Sequence, residues 1–212
     1  MSKRKRRQHD DPEIETATSK LSPNWLLVTG QPGSGKTTLV LRVLENLQNN
    51  PPPNLHIQGF YTEEVLAGKT RIGFDVRTIP SSSRSVLSRK SGLPKNSPKT
   101  GSYSVAVDKF EALALPTLIP RTEDGKKCLI IIDEIGRMEL HSNAFKSSIE
   151  SLLKNHTEVI VFGAVTAPIY GHRVPFCDMV TEDDRVVVRR IKKNTRDEVR
   201  EDMEARLREL LK

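Results

Sequence analysis

Residues 30–37 read Gly-Gln-Pro-Gly-Ser-Gly-Lys-Thr, the G-x-x-x-x-G-K-[ST] spacing of a phosphate-binding loop. The residue types follow from the task of holding a polyphosphate. Gly30, Gly33 and Gly35 let the backbone wrap closely, so that successive N–H groups point at the anion. Lys36 reaches the outer phosphates, and the Thr37 hydroxyl can join the shell of a Mg²⁺ ion. The whole run Gly30, Gln31, Pro32, Gly33, Ser34, Gly35, Lys36, Thr37 and Thr38 is therefore the expected nucleotide-binding stretch. A helix following it would direct its positive N-terminal end at the same charge.

A second constellation completes the chemistry. The apolar run Cys128-Leu-Ile-Ile-Ile132 leads directly into Asp133-Glu134-Ile135-Gly136. An apolar strand ending in acidic residues, beside the strand that carries the phosphate loop, is what such an enzyme requires. Asp133 is expected to hold Mg²⁺ through one of its waters, and Glu134 to orient or deprotonate an attacking water. Glu139 and Glu63 are the next carboxylates that could do the latter. The tandem acid favours hydrolysis over transfer to an acceptor. A nucleotide or nucleoside kinase is the first alternative. A nucleotide-switched protein contacting RNA or an acidic partner is another, although no RNA-recognition signature, zinc-finger spacing or basic helix is present.

These groups need rigid positioning, and the flanking pattern supplies it. Trp25–Thr29 reads as a short apolar strand. Thr38–Leu47 has Leu and Val at helical spacing, closed by the Pro-rich 49–54 connector. Residues 57–62 and 71–78 read as a hairpin turned at Ala67-Gly68-Lys69. Residues 81–107 lack acidic residues and read as a mobile basic loop feeding a strand at 103–107. Asp108 is expected to open a helix with Glu111 as its capping partner, limited by Pro116 and Pro120. The 128–132 run suits a strand covered on both faces of a parallel sheet. A helix over 142–154, strands over 158–165 and 185–191, and a last helix capped by Thr195 and Glu198 follow. That helix carries Val199, Met203, Leu207 and Leu210 on one stripe, which suits packing on the sheet better than a coiled coil. Pro168–Asp184, with His172 and Arg173, carries no motif and reads as solvated.

The formal charge is +7 over 212 residues, but Lys3–Arg7 alone supplies five positive charges, so the remainder is not a basic domain. Residues 1–23 are expected to form a disordered tail and 24–212 the folded domain. The KRKRR run reads either as a nuclear-localisation signal or as a solvated tail, and nucleic-acid contact is expected only through it. Asp10, Asp11, Glu13 and Glu15 argue against a mitochondrial transit peptide. No apolar stretch is long enough to span a membrane. Two isolated cysteines, Cys128 and Cys177, lack metal-ligand spacing and suit a reducing, intracellular setting, cytoplasmic or nuclear. A monomer is expected.

Beyond the phosphate loop, four segments carry a more specific signal: GFYTEEV at 59–65, RIGFDVRTI at 71–79, GSYSVAVDKFEALALPTL at 101–118 and IIDEIGRMELHS at 131–142. In this order they resemble the thermophile-type nucleoside-triphosphatase family, also called the cancer-related nucleoside-triphosphatase family. The resemblance covers most of residues 26–142. It implies a RecA-like P-loop fold, α/β with a largely parallel sheet flanked by helices and an added β-hairpin. It also implies slow, Mg²⁺-dependent hydrolysis of several nucleoside triphosphates, ATP and GTP among them, to diphosphates. The family usually has Lys where this chain has Arg137, and either cation over the triphosphate would stabilise transition-state charge. The family tends to carry an Asn-Arg pair before its last helix; here the run is Asn194-Thr195-Arg196, which makes Arg196 the expected contact to the base. The expected catalytic set is thus Glu134, Lys36 and Arg137, with Thr37 and Asp133 for the metal. Because residues 1–23 carry too little apolar surface to offset ordering, at roughly 1–2 kcal/mol per residue, deleting them should leave kcat and KM for hydrolysis unchanged. A truncated protein that loses phosphate release would refute this.

Overall fold

The computed structural model describes residues 22–121, 125–168 and 172–212. The KRKRR run and nearly all of the proposed tail lie outside the described residues. One nine-stranded sheet organises them, in the order β5-β6-β4-β3-β2-β7-β8-β1-β9. Five strands are mutually parallel: β1 (Trp25–Gly30), β2 (Leu55–Ala67), β7 (Lys127–Ile135), β8 (Ile160–Thr166) and β9 (Val186–Arg190). An antiparallel extension adds β3 (Thr70–Ile79), β4 (Arg84–Arg89), β5 (Lys99–Thr100) and β6 (Tyr103–Val105).

Alternation along the central strands supplies two cores at once. Trp25, Leu27, Ile130, Ile132 and Val161 face one side, where α2 (Val107–Ala114), α3 (Asn143–Asn155) and α4 (Pro175–Thr181) pack. Leu26, Val28, Leu129, Ile131 and Phe162 face the other, under α1 (Lys36–Asn49) and α5 (Arg196–Leu210). This is why CLIII reads as unbroken hydrophobicity: it is buried on both faces. Phe60, Phe110 and Phe145 meet edge to face, with centroids 5.4–6.0 Å apart, and lock β2, α2 and α3 together. Ser142 caps α3 by accepting the Phe145 N–H at 2.8 Å.

Several local expectations are corrected. The acidic strand β7 is not adjacent to β1, because β8 inserts between them. Residues 81–107 are not simply a loop: β4 is held on β3 by Asp75, a buried carboxylate paired with both Arg84 and Arg89. Glu111 does not cap α2; it accepts a hydrogen bond from the Ser142 hydroxyl at 2.6 Å. Thr195 precedes α5 without capping it, its hydroxyl accepting the Lys192 N–H instead. The 168–184 segment contains α4, which buries Cys177 and Val180. Its residues 169–171 lie outside the described residues. Among the described residues, no helix is long and apolar enough to cross a membrane.

Two glycines let β7 sit tightly between its neighbours. A Cβ on Gly59, where φ is 126°, would lie 2.0 Å from the Ile131 carbonyl oxygen, and one on Gly163 would lie 1.9 Å from that of Ile132. Gly163→Ala should therefore cost about 3 kcal/mol or more in denaturant titrations, or prevent folding. A loss of under about 1 kcal/mol would show that the sheet yields easily at this point.

Candidate active site

All five parallel strands deliver their carboxyl ends to one edge, the place where open α/β sheets bind ligands. Gly30 ends β1 and the phosphate loop follows. Gly33 (φ 77°) and Gly35 (φ 96°) take the left-handed conformations that the curl requires, and Gly35 leads straight into α1. The Ser34 N–H closes the loop on the Gln31 carbonyl at 3.0 Å. The Gln31 side chain turns away, donating to the Pro168 carbonyl at 3.1 Å. Pro32, Gly33, Gly35, Lys36, Thr37 and Thr38 border a cleft of about 460 Å³.

The structure brings the loop and the acidic strand end together. Lys36 is buried, its Nζ donating to the Gly30 carbonyl at 3.2 Å and standing 3.3 Å from Glu134 Oε2. The Thr37 hydroxyl donates to Asp133 Oδ1 at 3.2 Å. From β2, Thr62 directs its hydroxyl at Asp133 Oδ2, 3.4 Å away. Asp133 is fully buried, and that burial, reinforced by the Glu134 charge, pushes its pKa up to about 7. The Asp133–Glu134 peptide is cis. Arg137 borders the cleft and is anchored by donating to the His172 carbonyl at 2.9 Å. Arg196 lies against the loop, its Cδ 2.9 Å from where a Gly35 Cβ would be.

Sequence reasoning missed Thr62 and Thr166 of this cleft, along with Glu64, Arg71 and Thr100, and undervalued Glu139. Thr62 and Thr166 both border it, the latter as the final residue of the inserted β8. Register arithmetic could have found them: a polar residue at the carboxyl end of a buried parallel strand faces this edge. Glu139 sits in a single-turn 3₁₀ helix (Glu139–His141), buried beside Gly136, which has no Cβ to collide with its carboxylate. Burial, with Glu134 nearby, pushes its pKa up to about 8. Glu63, by contrast, is occupied by Arg77 at 2.6 Å.

A parallel sheet of this order, a glycine loop opening a helix and an acidic strand end facing that loop define a phosphate-loop nucleoside triphosphatase. The NTPase family model matches residues 25–203, and the chain belongs to that family. It is 40% identical over 151 residues to the human cancer-related nucleoside-triphosphatase, covering 68% of this chain and 75% of the relative. To the nucleoside-triphosphatase THEP1 of Thermotoga maritima it is 35% identical over 164 residues, covering 77% and 83%. The solution structure of a human cancer-related nucleoside triphosphatase superposes with a TM-score of 0.72 at 34% identity, covering 89% of this chain and 98% of that one. The crystal structure of THEP1 from Aquifex aeolicus gives 0.70 at 31%, covering 86% and 98%. The protein is an enzyme that hydrolyses nucleoside triphosphates.

Glu139 gives a pH test of the site. It keeps its proton in the folded protein up to about pH 8, whereas an ordinary glutamate releases it near 4.5. The folded state then binds more protons than the unfolded chain within that window, so this residue's contribution makes stability fall as pH rises through it. Glu139→Gln, neutral at every pH, should gain on the parent protein between pH 5 and 9 by up to a few kcal/mol, as read from urea titrations. A pH-independent difference would mean that Glu139 is charged throughout.

Proposed function

We propose that the enzyme hydrolyses its nucleoside triphosphates to the diphosphate and inorganic phosphate in a Mg²⁺-dependent reaction, with little discrimination between bases and slow turnover. The observation that supports the roles best is the 3.3 Å contact of Lys36 with Glu134, because it puts the phosphate-binding cation and the water-orienting carboxylate side by side. The phosphates lie along the loop, held by its N–H groups and the end of α1. Lys36 turns from Glu134 towards the outer phosphates and neutralises them. The released Glu134 carboxylate orients water in line with the γ-phosphorus and accepts its proton. Arg137 stabilises charge on the transferring group. Arg196 offers a planar guanidinium to the base, a contact that any base can make, which fits broad specificity.

The residues suit a magnesium ion. Asp133 and Thr37 present hard oxygen donors 3.2 Å apart, and the buried Asp133 carboxylate lies in surroundings short of positive charge. Among the described residues no group of three or more His, Cys, Asp or Glu forms a protein-only cage. That suits an ion held by few protein groups and shared with substrate phosphates. When bound, it would neutralise phosphate charge.

Replacing Glu134 with Gln should leave nucleotide affinity within a few fold and lower kcat by on the order of 10²-fold or more. Lys36→Ala should abolish phosphate release with an unchanged circular dichroism spectrum. Normal turnover in a folded Lys36→Ala protein would overturn the reading as a whole. Normal turnover in Glu134→Gln alone would move the water-orienting role to Glu139.

A further inference from the structure

The turn that carries Arg137 spends most of its backbone groups on itself. The Gly136 carbonyl accepts the Leu140 N–H at 3.0 Å, that of Met138 accepts the His141 N–H at 3.3 Å, and that of Glu139 accepts the Ser142 N–H at 3.0 Å. The Arg137 carbonyl, in the midst of these, takes a side chain instead: the Thr100 hydroxyl donates to it at 3.3 Å. Thr100 belongs to β5, the outermost strand of the antiparallel extension, and reaches this place through a tight turn into β6 in which Gly101 takes a φ of 57°. Its hydroxyl also lies 3.0 Å from Nε2 of His141, the last residue of the 3₁₀ turn. A hydroxyl has a single proton to give, so with that proton on the Arg137 carbonyl Thr100 accepts from His141. Thr100 thus clasps the turn after β7 at residues 137 and 141.

The Arg137 side chain is held at one end only. Nη2 donates to the His172 carbonyl at 2.9 Å, while Nε is buried with no hydrogen-bond partner among the described residues. A guanidinium on the wall of this cleft, with a donor still unmatched, has a hydrogen bond to offer a phosphoryl oxygen. How well it meets that oxygen depends on where its backbone stands, and Gly136 just before it has no side chain to brace that backbone.

We propose that Thr100 is a positioning residue for Arg137: its hydroxyl, oriented by His141, fixes the turn after β7 so that the guanidinium meets the terminal phosphoryl group as charge develops there. The proposal rests on the role given to Arg137 above. A group that acts on the transition state must be in place before reaction, because a displacement of about 1 Å can cost on the order of 10²-fold in rate. The Thr100 contact supplies that hold from outside the phosphate loop, so its loss lowers kcat and leaves nucleotide binding alone.

The test uses the full-length enzyme with Mg²⁺ and ATP. Thr100→Val keeps the side-chain shape and removes the hydroxyl; it should lower kcat about tenfold with KM within about twofold, and Thr100→Ser should restore the rate. His141→Ala, which leaves the carbonyl contact in place, should give a smaller loss in the same direction and guards against a Thr100→Val protein that does not fold. Affinity for ADP with aluminium fluoride, a mimic of the transferring phosphoryl group, should fall in Thr100→Val while affinity for ADP alone stays unchanged, a difference that general loosening of the fold does not produce. In an Arg137→Ala protein, Thr100→Val should cause no further loss of kcat. A further tenfold loss in that background would overturn the proposal, as would normal kcat in folded Thr100→Val and His141→Ala proteins. Normal kcat in Arg137→Ala itself would instead overturn the role on which the proposal rests.

Discussion

The contact between the buried Lys36 and the half-buried Glu134 is the interaction around which the rest of the molecule is arranged. One ammonium faces Glu134, with the buried carboxyl groups of Asp133 and Glu139 close by. In the low-dielectric end of a sheet that balance is unfavourable, and two of the three acids respond by holding their protons more tightly. On the roles proposed above, the group that steadies Glu134 would be the one that grips substrate, and its release would leave Glu134 to water.

Holding such a centre together requires a support that cannot relax. β7 provides it, flanked by β2 and β8 and covered on both faces by helices. Gly59 and Gly163 permit the close approach of the flanking backbones, and the three interlocking phenylalanines brace β2 against α2 and α3. Asp133 is consequently gripped from two directions, by Thr37 from α1 and by Thr62 from β2. Carboxylates held unfavourably at a strand end persist only where the surroundings over-determine them.

What the sequence made legible follows from how local each signal is. The phosphate loop, the CLIII strand with its acidic end and the helix over 142–154 are written in neighbouring residues, so periodicity and spacing sufficed. The features that escaped are contacts between distant segments. Asp75 recruits Arg84 and Arg89 into a strand where an acid-free run suggested a loop. Ser142 takes Glu111 away from the helix it was expected to cap. The insertion of β8 between β1 and β7, which brings Thr166 into the cleft, is a matter of strand order, which no local pattern encodes. Charge likewise misled: four of the five basic residues between 81 and 106 are Arg84, Arg89, Lys90 and Lys99, and the first two are structural partners of one buried acid.

The antiparallel extension then acquires a reason. Five parallel strands present the phosphate loop, the acidic strand end and the intervening β8, and β3, β4 and β5 add Arg71, Phe74, Leu87 and Thr100 to the lining of the same cleft. They are joined firmly, through a buried Asp75 with two arginines and a β2–β3 ladder that runs from Gly59 to Ala67. β2 itself is shared: its first half pairs with β7 in the parallel sheet, and its second half carries Thr62 to Asp133 and Glu64 to the cleft. The hairpin, the parallel sheet and the contact to Asp133 are thus joined through one continuous strand.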